Sequence, residues 1–316
     1  MIRFIHLSDV HLGAVPDRGC PWSHEREEEI WETFRRVIAG IRKNPVDLLF
    51  IAGDLFHRQP LLGQLRQVNE WFAAIPEKNI FVYGLSFEHK EVRSPLYDEW
   101  KPVNKPGFHV LLAHGGDLSC CPMDFTGLAA AGFDYVALGH SHKPHTVCRD
   151  KIAYSGSLEP LDRNDLGKHG YIQGEYEDGN VKVRLVPCAN RSYQNLVLNV
   201  DRDTTQYKLE EMLRSEVMRR GGRNIYRLIL KGRVSPDNVL LTERLHGLGN
   251  IVEIMDESRP AYNIEELYRQ YRGTLIGDYI NKFLNKDLTV VEKKALYYGL
   301  QALLSTQVLA DDRKRL

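Results

Sequence analysis

The feature that most constrains this chain is a repeated junction, in which a short apolar run stops abruptly in side chains that can ligate a metal. Phe4-Ile5-His6-Leu7 runs into Asp9-Val10-His11, and Leu48-Leu49-Phe50-Ile51-Ala52 into Gly53-Asp54. Further on, His109-Val110-Leu111-Leu112-Ala113 runs into His114-Gly115, and Tyr135-Val136-Ala137-Leu138 into Gly139-His140-Ser141-His142. Apolar runs of this length bounded by Gly and Asp predict strands buried on both faces. Between the first two runs, Ile30, Phe34, Val37, Ile38 and Ile41 recur at helical spacing, and Leu65, Val68, Phe72 and Ile75 do so within 64–75. Strand, helix, strand, helix predicts a layered α/β core. Sheets of that kind bind ligands beyond the carboxyl ends of their strands.

Taken singly, each junction says little. An Asp-x-His is common, Gly-Asp serves as a helix cap, and a lone histidine is more often structural. Two histidines two residues apart on leaving a strand point the same way. It is the joint occurrence at four successive strand ends that predicts a metal centre built from Asp9, His11, Asp54, His114, His140 and His142. Carboxylate mixed with imidazole suits Mn²⁺, Fe²⁺ or Zn²⁺, whereas an all-oxygen set suits Mg²⁺ or Ca²⁺. The lack of cysteine in the set disfavours a structural zinc. The set is too large for one tetrahedral ion and fits two ions sharing a carboxylate, an arrangement that clamps phosphate and activates water.

Composition narrows the class further. Lys+Arg and Asp+Glu number 42 each, so the net charge is zero and a general nucleic-acid coat protein is excluded. The five cysteines include no C-x-x-C pair, which predicts a reducing cytosol rather than a disulfide framework. The vicinal Cys120-Cys121 reads as a pair of ordinary thiols. No apolar stretch is long enough to span a membrane, and the N-terminus lacks a signal-peptide layout. The expectation is a cytoplasmic protein with no membrane contact.

Beyond the last junction the texture changes. Tyr171 to Tyr176 and Val181 to Val186 flank Asp178-Gly179, which predicts a hairpin in a second sheet. From residue 191 a β-α-β-α-β pattern follows, with a helix over 205–219 and another opened by Ser235-Pro236 and ending near Gly247. Arg219, Arg220, Arg223, Arg227, Lys231 and Arg233 gather there, and they could serve as phosphate contacts or simply as a solvated face. The tail is helical, with Thr289-Val290-Val291-Glu292 as a capping box ahead of Leu296, Leu300 and Leu303. Expected domains are 1–190, 191–257 and 258–316.

The ligand clusters resemble the calcineurin-like metallophosphoesterases, whose signature runs D-x-H, G-D, G-N-H-[D/E], H, G-H-x-H. Gly156-Ser157-Leu158-Glu159-Pro160-Leu161-Asp162 and Gly167-Lys168-His169-Gly170 resemble the SbcD-type branch, nuclease subunits of bacterial DNA break-repair complexes. The resemblance covers about residues 1–190 and implies a four-layer β-sandwich flanked by helices, with a small α+β cap and C-terminal helices. By motif, Asp9, His11 and His142 would hold the first metal, Asp54 would bridge, and His114 and His140 would hold the second while contacting phosphate oxygens. The resemblance further implies manganese as the preferred ion and DNA as substrate, with Arg219, Arg220 and Arg223 as its contacts. The implied partner is an SMC-type coiled-coil ATPase, docked on the tail helix. Packing of that helix on its own domain, or pairing in a homodimer, accounts for the same leucines.

One departure matters. No Gly-Asn-His occurs anywhere in the sequence, although in the family its Asn completes the second metal shell and its His assists the leaving group. Asn79 and His89 flank the strand over 80–85, but neither sits in such a turn. Losing a general acid typically removes ~10²–10⁴ in rate. The expectation is therefore a DNA phosphodiesterase of reduced activity. The alternatives are a non-catalytic DNA- or partner-binding member of the fold, and a hydrolase of small phosphoesters or cyclic nucleotides. Among the remaining histidines, His6 reads as core, His57 as either a site or a loop residue, and His145 as exposed.

Overall fold

The protein is described from a computed structural model covering residues 1–61, 63–65, 68, 80–85, 92–235, 238, 240–284 and 286–312. Phe72, Ile75, Asn79, His89 and Pro236, which figure in the sequence expectations, lie outside the described residues.

Two sheets face each other. β1 (Ile2–Leu7), β2 (Leu48–Ile51), β8 (Gly170–Glu177) and β9 (Asn180–Pro187) form one, in the order β2-β1-β8-β9. β3 (Ile80–Gly84), β4 (Phe108–His114), β5 (Tyr135–Gly139), β6 (His145–Cys148) and β7 (Ile152–Tyr154) form the other, in the order β3-β4-β5-β7-β6. Successive side chains on a strand take opposite faces, and the residues sort accordingly. Phe4, Phe50, Phe108, Val110, Tyr135 and Ala137 meet between the sheets, with the Phe4 ring 5.1 Å from that of Tyr135. The alternate residues point outward. Ile5 and Leu7 pack under Ile30, Phe34, Val37 and Ile38 of α1 (Ser23–Lys43). Leu111, Val136 and Leu138 pack under Leu128 of α2 (Phe125–Ala130). The result is a helix–sheet–sheet–helix stack in four layers.

The ligand-bearing strands are thus split between sheets rather than shared by one. β1 runs parallel to β2, and β4 parallel to β5, and contacts of His140 with Asp9 and of His114 with Ala52 bring their carboxyl ends together at one edge of the sandwich. The hairpin also corrects the sequence expectation. β8 and β9 turn through Asp178 and Gly179, both at positive φ, but β8 adds antiparallel to β1 and extends the first sheet. Gly53 and Asp54 are followed by an isolated bridge from Leu12 to Phe56 that prolongs the β1–β2 pairing past the site.

Next along the chain come β10 (Tyr193–Val200), α3 (Gln206–Arg220), β11 (Ile225–Val234) and β12 (Asn250–Pro260), whose strands form a sheet in the order β10-β11-β12. Instead of the α-helix expected before Gly247, the described residues hold a 3₁₀ helix, Thr242–Leu248. The tail comprises α4 (Ile264–Gln270), α5 (Leu275–Asn281) and α6 (Val290–Asp312). The capping box forms as predicted. Glu292 accepts from the Thr289 amide at 2.8 Å, and Thr289 Oγ1 accepts from the Glu292 amide at 3.3 Å. Leu296 and Leu300 are buried against Ile276 and Ile280, so this apolar face is used within the tail itself.

The chain divides into two compact units. One comprises 1–198, 210–229 and 242–255, and the other 199–209, 230–241 and 256–316. Residues 191–257 contribute to both. Among the described residues, no helix is long and apolar enough to cross a membrane.

Candidate metal centre

Four of the six expected ligands leave their strands through strained turns. Asp9, His11, Asp54 and His140 have φ of 49°, 51°, 44° and 100°, the left-handed region that non-glycine residues avoid. Such outliers cost ~1–3 kcal/mol each and persist only where the surroundings over-determine them. Here the determinants are backbone bonds between the two β1–β2 exits. Asp9 N–H donates to Gly53 O at 3.3 Å, and His11 N–H to Asp54 O at 2.9 Å.

Two more bonds tie one sheet to the other at this edge. The His140 amide donates to both oxygens of Asp9, at 3.1 and 3.0 Å, and His114 Nδ1 lies 3.0 Å from Ala52 O. The second approach requires glycine on either side. A Cβ at Gly53 would strike the His114 ring, and one at Gly139 would fall inside the Ala52 carbonyl oxygen. Gly139→Ala is therefore expected to lower stability by about 2–3 kcal/mol, at the upper end of overpacking costs. A urea midpoint unchanged from the parent protein would contradict this account of the junction.

The arrangement brings the ligands into two groups that share Asp9. Ligand atoms of Asp9, His11 and His142 lie within 4.8 Å of one another, as do those of Asp9, Asp54 and His114. Asp54 Oδ2 stands 3.6 Å from His11 Nε2 and 3.8 Å from His114 Nε2, between the groups. His11 Nε2 is buried and has no hydrogen-bond partner. A buried, orphaned imidazole nitrogen beside two carboxylates is poorly satisfied by protein alone, and a cation there would satisfy it. The donor set and this orphan fit one or two divalent ions.

The outer partners fix which nitrogen faces inward. A carbonyl can only accept, so His114 Nδ1 carries the proton given to Ala52 O, and Nε2 keeps its lone pair toward Asp54. His142 Nδ1 faces Asp165 Oδ2 at 3.4 Å, leaving Nε2 for the group. The Asp165 contact, outweighing burial, raises the His142 pKa, while burial pushes His11 down against the pull of Asp54. Burial alone would raise the Asp165 carboxyl, but the His142 imidazole and the Leu161 amide hold it below its ordinary value.

His140 stands outside both groups. Its Nε2 lies 2.8 Å from Asp117 Oδ2, and its ring centroid lies 5.5 Å from that of His114. His57 reaches the edge of the site, with Nδ1 3.4 Å from His11 Nδ1. His6 is fully buried against the Tyr135 hydroxyl, and burial lowers its pKa to about 3, so it is a neutral core residue. His145 is exposed and stacks on Tyr154.

The sequence reading missed Asp117, Asp165, Arg18 and Arg58. A cleft of about 410 Å³ opens beside His11, His57 and His142 and is lined by Arg18 and Arg58. The arginines expected to contact nucleic acid are ion-paired within the chain, with Arg219 and Arg223 still largely exposed. Arg219 and Arg220 both bond Glu216, at 2.6 and 2.9 Å, and Arg223 bonds Glu29 at 3.0 Å. Arg227, too, is held by Glu253 at 2.7 Å.

Residues 2–84 match the family model described as calcineurin-like phosphoesterase. The match takes in Asp9, His11 and Asp54, and the geometry adds His114 and His142 to the same centre. The chain is 21% identical to the uncharacterized metallophosphoesterase YhaO of Bacillus subtilis, over 73% of this chain and 72% of that protein. It is 27% identical to the DNA double-strand break repair protein Mre11 of Haloferax volcanii, over 61% of this chain and 54% of that protein. Its identity to the protein of the same name from Saccharolobus solfataricus is 25%, over 56% of this chain and 60% of that protein. The chain therefore spans little more than half the length of these archaeal relatives. The four-layer α/β architecture agrees with the metallophosphoesterase fold.

Proposed function

We propose that this chain is a metal-dependent phosphodiesterase acting on DNA. The observation that carries the reading is Asp9, a buried carboxylate shared by two ligand groups at four parallel-strand ends. Asp9, His11 and His142 would hold one divalent ion, and Asp9, Asp54 and His114 the other, a donor set that suits Mn²⁺, Fe²⁺ or Zn²⁺, with Mn²⁺ the ion implied by the family resemblance. Bound there, such ions supply positive charge for phosphate oxygens and lower the pKa of water.

The chain's own residues do the rest. Asp165 and Ala52 O set the tautomers of His142 and His114, and the His140 amide orients the Asp9 carboxylate. Arg18 and Arg58 face the adjoining cleft, where they can neutralise phosphates flanking the scissile one without reading sequence. The names of the archaeal relatives, DNA double-strand break repair proteins, support DNA over small phosphoesters. An SMC-type ATPase partner belongs to the same proposal.

The test uses protein stripped with EDTA and then reloaded with Mn²⁺, assayed on bis(p-nitrophenyl) phosphate, an oligonucleotide and a cyclic nucleotide. Turnover is expected to vanish with EDTA, return with Mn²⁺, favour the oligonucleotide, and be lost in Asp54→Ala. Hydrolysis that survives Asp54→Ala would refute the assigned centre, and preference for the cyclic nucleotide would reassign the substrate. The missing Gly-Asn-His favours a second reading, a binding subunit without turnover. That reading predicts retained DNA binding and no hydrolysis at any Mn²⁺ concentration.

A further inference from the structure

We propose that Asp117 is the positioning residue of the second metal position, fixing His140 so that Nδ1 is the nitrogen its ring offers. The inference rests on the metal-centre reading above and adds to it a residue outside every motif of the sequence.

Asp117 follows His114 through Gly115-Gly116, a turn that is itself anchored. The Tyr154 hydroxyl donates to Gly115 O at 2.7 Å, and Gly116 N–H bonds Cys120 O at 2.8 Å. Gly116 has φ of 114°, and a Cβ there would strike the Tyr154 hydroxyl, so the turn tolerates only glycine. Within it the two carboxylate oxygens of Asp117 have separate tasks. Oδ1 accepts from the Ser119 amide at 2.7 Å, the Ser119 hydroxyl at 2.6 Å and the Cys120 amide at 2.8 Å. Oδ2 is left for His140 Nε2 at 2.8 Å.

An ionised carboxylate only accepts, so Nε2 carries the ring proton and Nδ1 keeps the lone pair. Nδ1 makes no hydrogen bond to any described residue. The backbone of His140 is held separately by Asp9, so the residue is fixed at two points. Its ring stands at 73° to that of His114, whose Nε2 already faces Asp54.

The same logic holds at two other ligands, where one nitrogen is tied outward and the other is left free. Asp165 does this for His142, and Ala52 O does it for His114. Metal-bound histidines characteristically have such outer partners, and removing one costs ~10–100-fold in metal affinity. In this chain no Gly-Asn-His turn furnishes further ligands, so the second position depends more heavily on His140 and on what orients it.

Asp117→Asn separates orientation from simple loop structure. Three donors around Oδ1 require the amide oxygen there, which turns the NH₂ toward His140 Nε2. Nε2 must then accept, the proton moves to Nδ1, and the Nδ1 lone pair is lost. The experiment titrates Mn²⁺ into the metal-free parent, Asp117→Asn and Asp117→Ala proteins, with calorimetry for stoichiometry and electron paramagnetic resonance for coupling between ions.

The expected result is two ions in the parent protein, the weaker lost or weakened ~10–100-fold in both variants and the tighter one retained. The exchange-coupled signal of a Mn²⁺ pair is expected to give way to that of isolated Mn²⁺, and the melting temperature of Asp117→Asn in EDTA to stay unchanged. Two ions bound equally well by Asp117→Asn would overturn the role of Asp117 and leave the metal centre standing. So would a single ion in the parent whose affinity the variants share. No Mn²⁺ bound by the parent protein would overturn the metal-centre reading itself, and Asp117 with it.

Discussion

Asp9→Ala is expected to abolish Mn²⁺-dependent hydrolysis and to eliminate tight metal binding at both positions. Among the described residues no other belongs to both ligand groups, and Asp9 is completely buried. Removing a buried charged partner typically costs about 3–5 kcal/mol. If that loss falls on the metal-bound transition state, kcat/KM drops by roughly 10²–10⁴-fold. Asp9→Asn isolates the charge, because its amide oxygen still accepts from the His140 amide that now bonds both Asp9 oxygens. Calorimetric Mn²⁺ titration together with steady-state hydrolysis decides the matter. A variant that keeps the parent stoichiometry and rate would show that the two groups do not share a functional ligand.

The second large effect is expected in stability, at Arg26. This guanidinium is fully buried, with Nη1 2.7 Å from Glu29 Oε2 and 3.4 Å from Glu159 Oε2. Glu159 belongs to the Gly-Ser-Leu-Glu-Pro segment and also accepts from Thr33 Oγ1 at 2.6 Å, which ties that segment to α1. Glu29 retains Arg191 at 2.8 Å, but Glu159 has no second cation among the ion pairs of the described residues. Arg26→Met thus leaves a buried carboxylate uncompensated and should destabilise by about 3–5 kcal/mol, read as a fall in the urea midpoint. Adding Glu159→Gln should restore part of the loss, since the residual charge is what costs. A single variant within about 1 kcal/mol of the parent would show that water reaches this network. The effect is expected to extend to the metal centre, because the Ser157 amide donates to His142 O at 2.9 Å in the same segment.

Several features were legible in the sequence because their causes are local. The apolar runs at Phe4, Leu48, His109 and Tyr135 are strands, since alternate residues of each feed two different cores. The Asp178-Gly179 turn and the Thr289–Glu292 capping box formed for the same reason, each being settled by neighbours within a few positions. Charge clustering was less informative. Arg219, Arg220 and Arg223 look like a basic face in one dimension, and in three they are ion-paired with Glu216 and Glu29 while Arg219 and Arg223 stay exposed. Arg18 and Arg58, which line the cleft, sit alone in sequence and carried no signal.

What the sequence by itself determined was the layered α/β class and the strand-end positions of Asp9, His11, Asp54, His114 and His142, the side chains that the structure gathers, because both follow from side-chain period and from residues within one turn of each strand end. The tertiary structure alone decided that these strands belong to two sheets, β1 with β2 and β4 with β5, and that their ends converge through Ala52, Gly139 and the His140 amide. It alone also assigned the outer partners, Asp165 to His142 and Asp117 to His140, pairings set by through-space contact between segments 23 residues apart in each case. Periodicity specifies which way a side chain faces. Which group it meets there depends on sheet order and on the turns that follow, and these are fixed only when the two sheets pack.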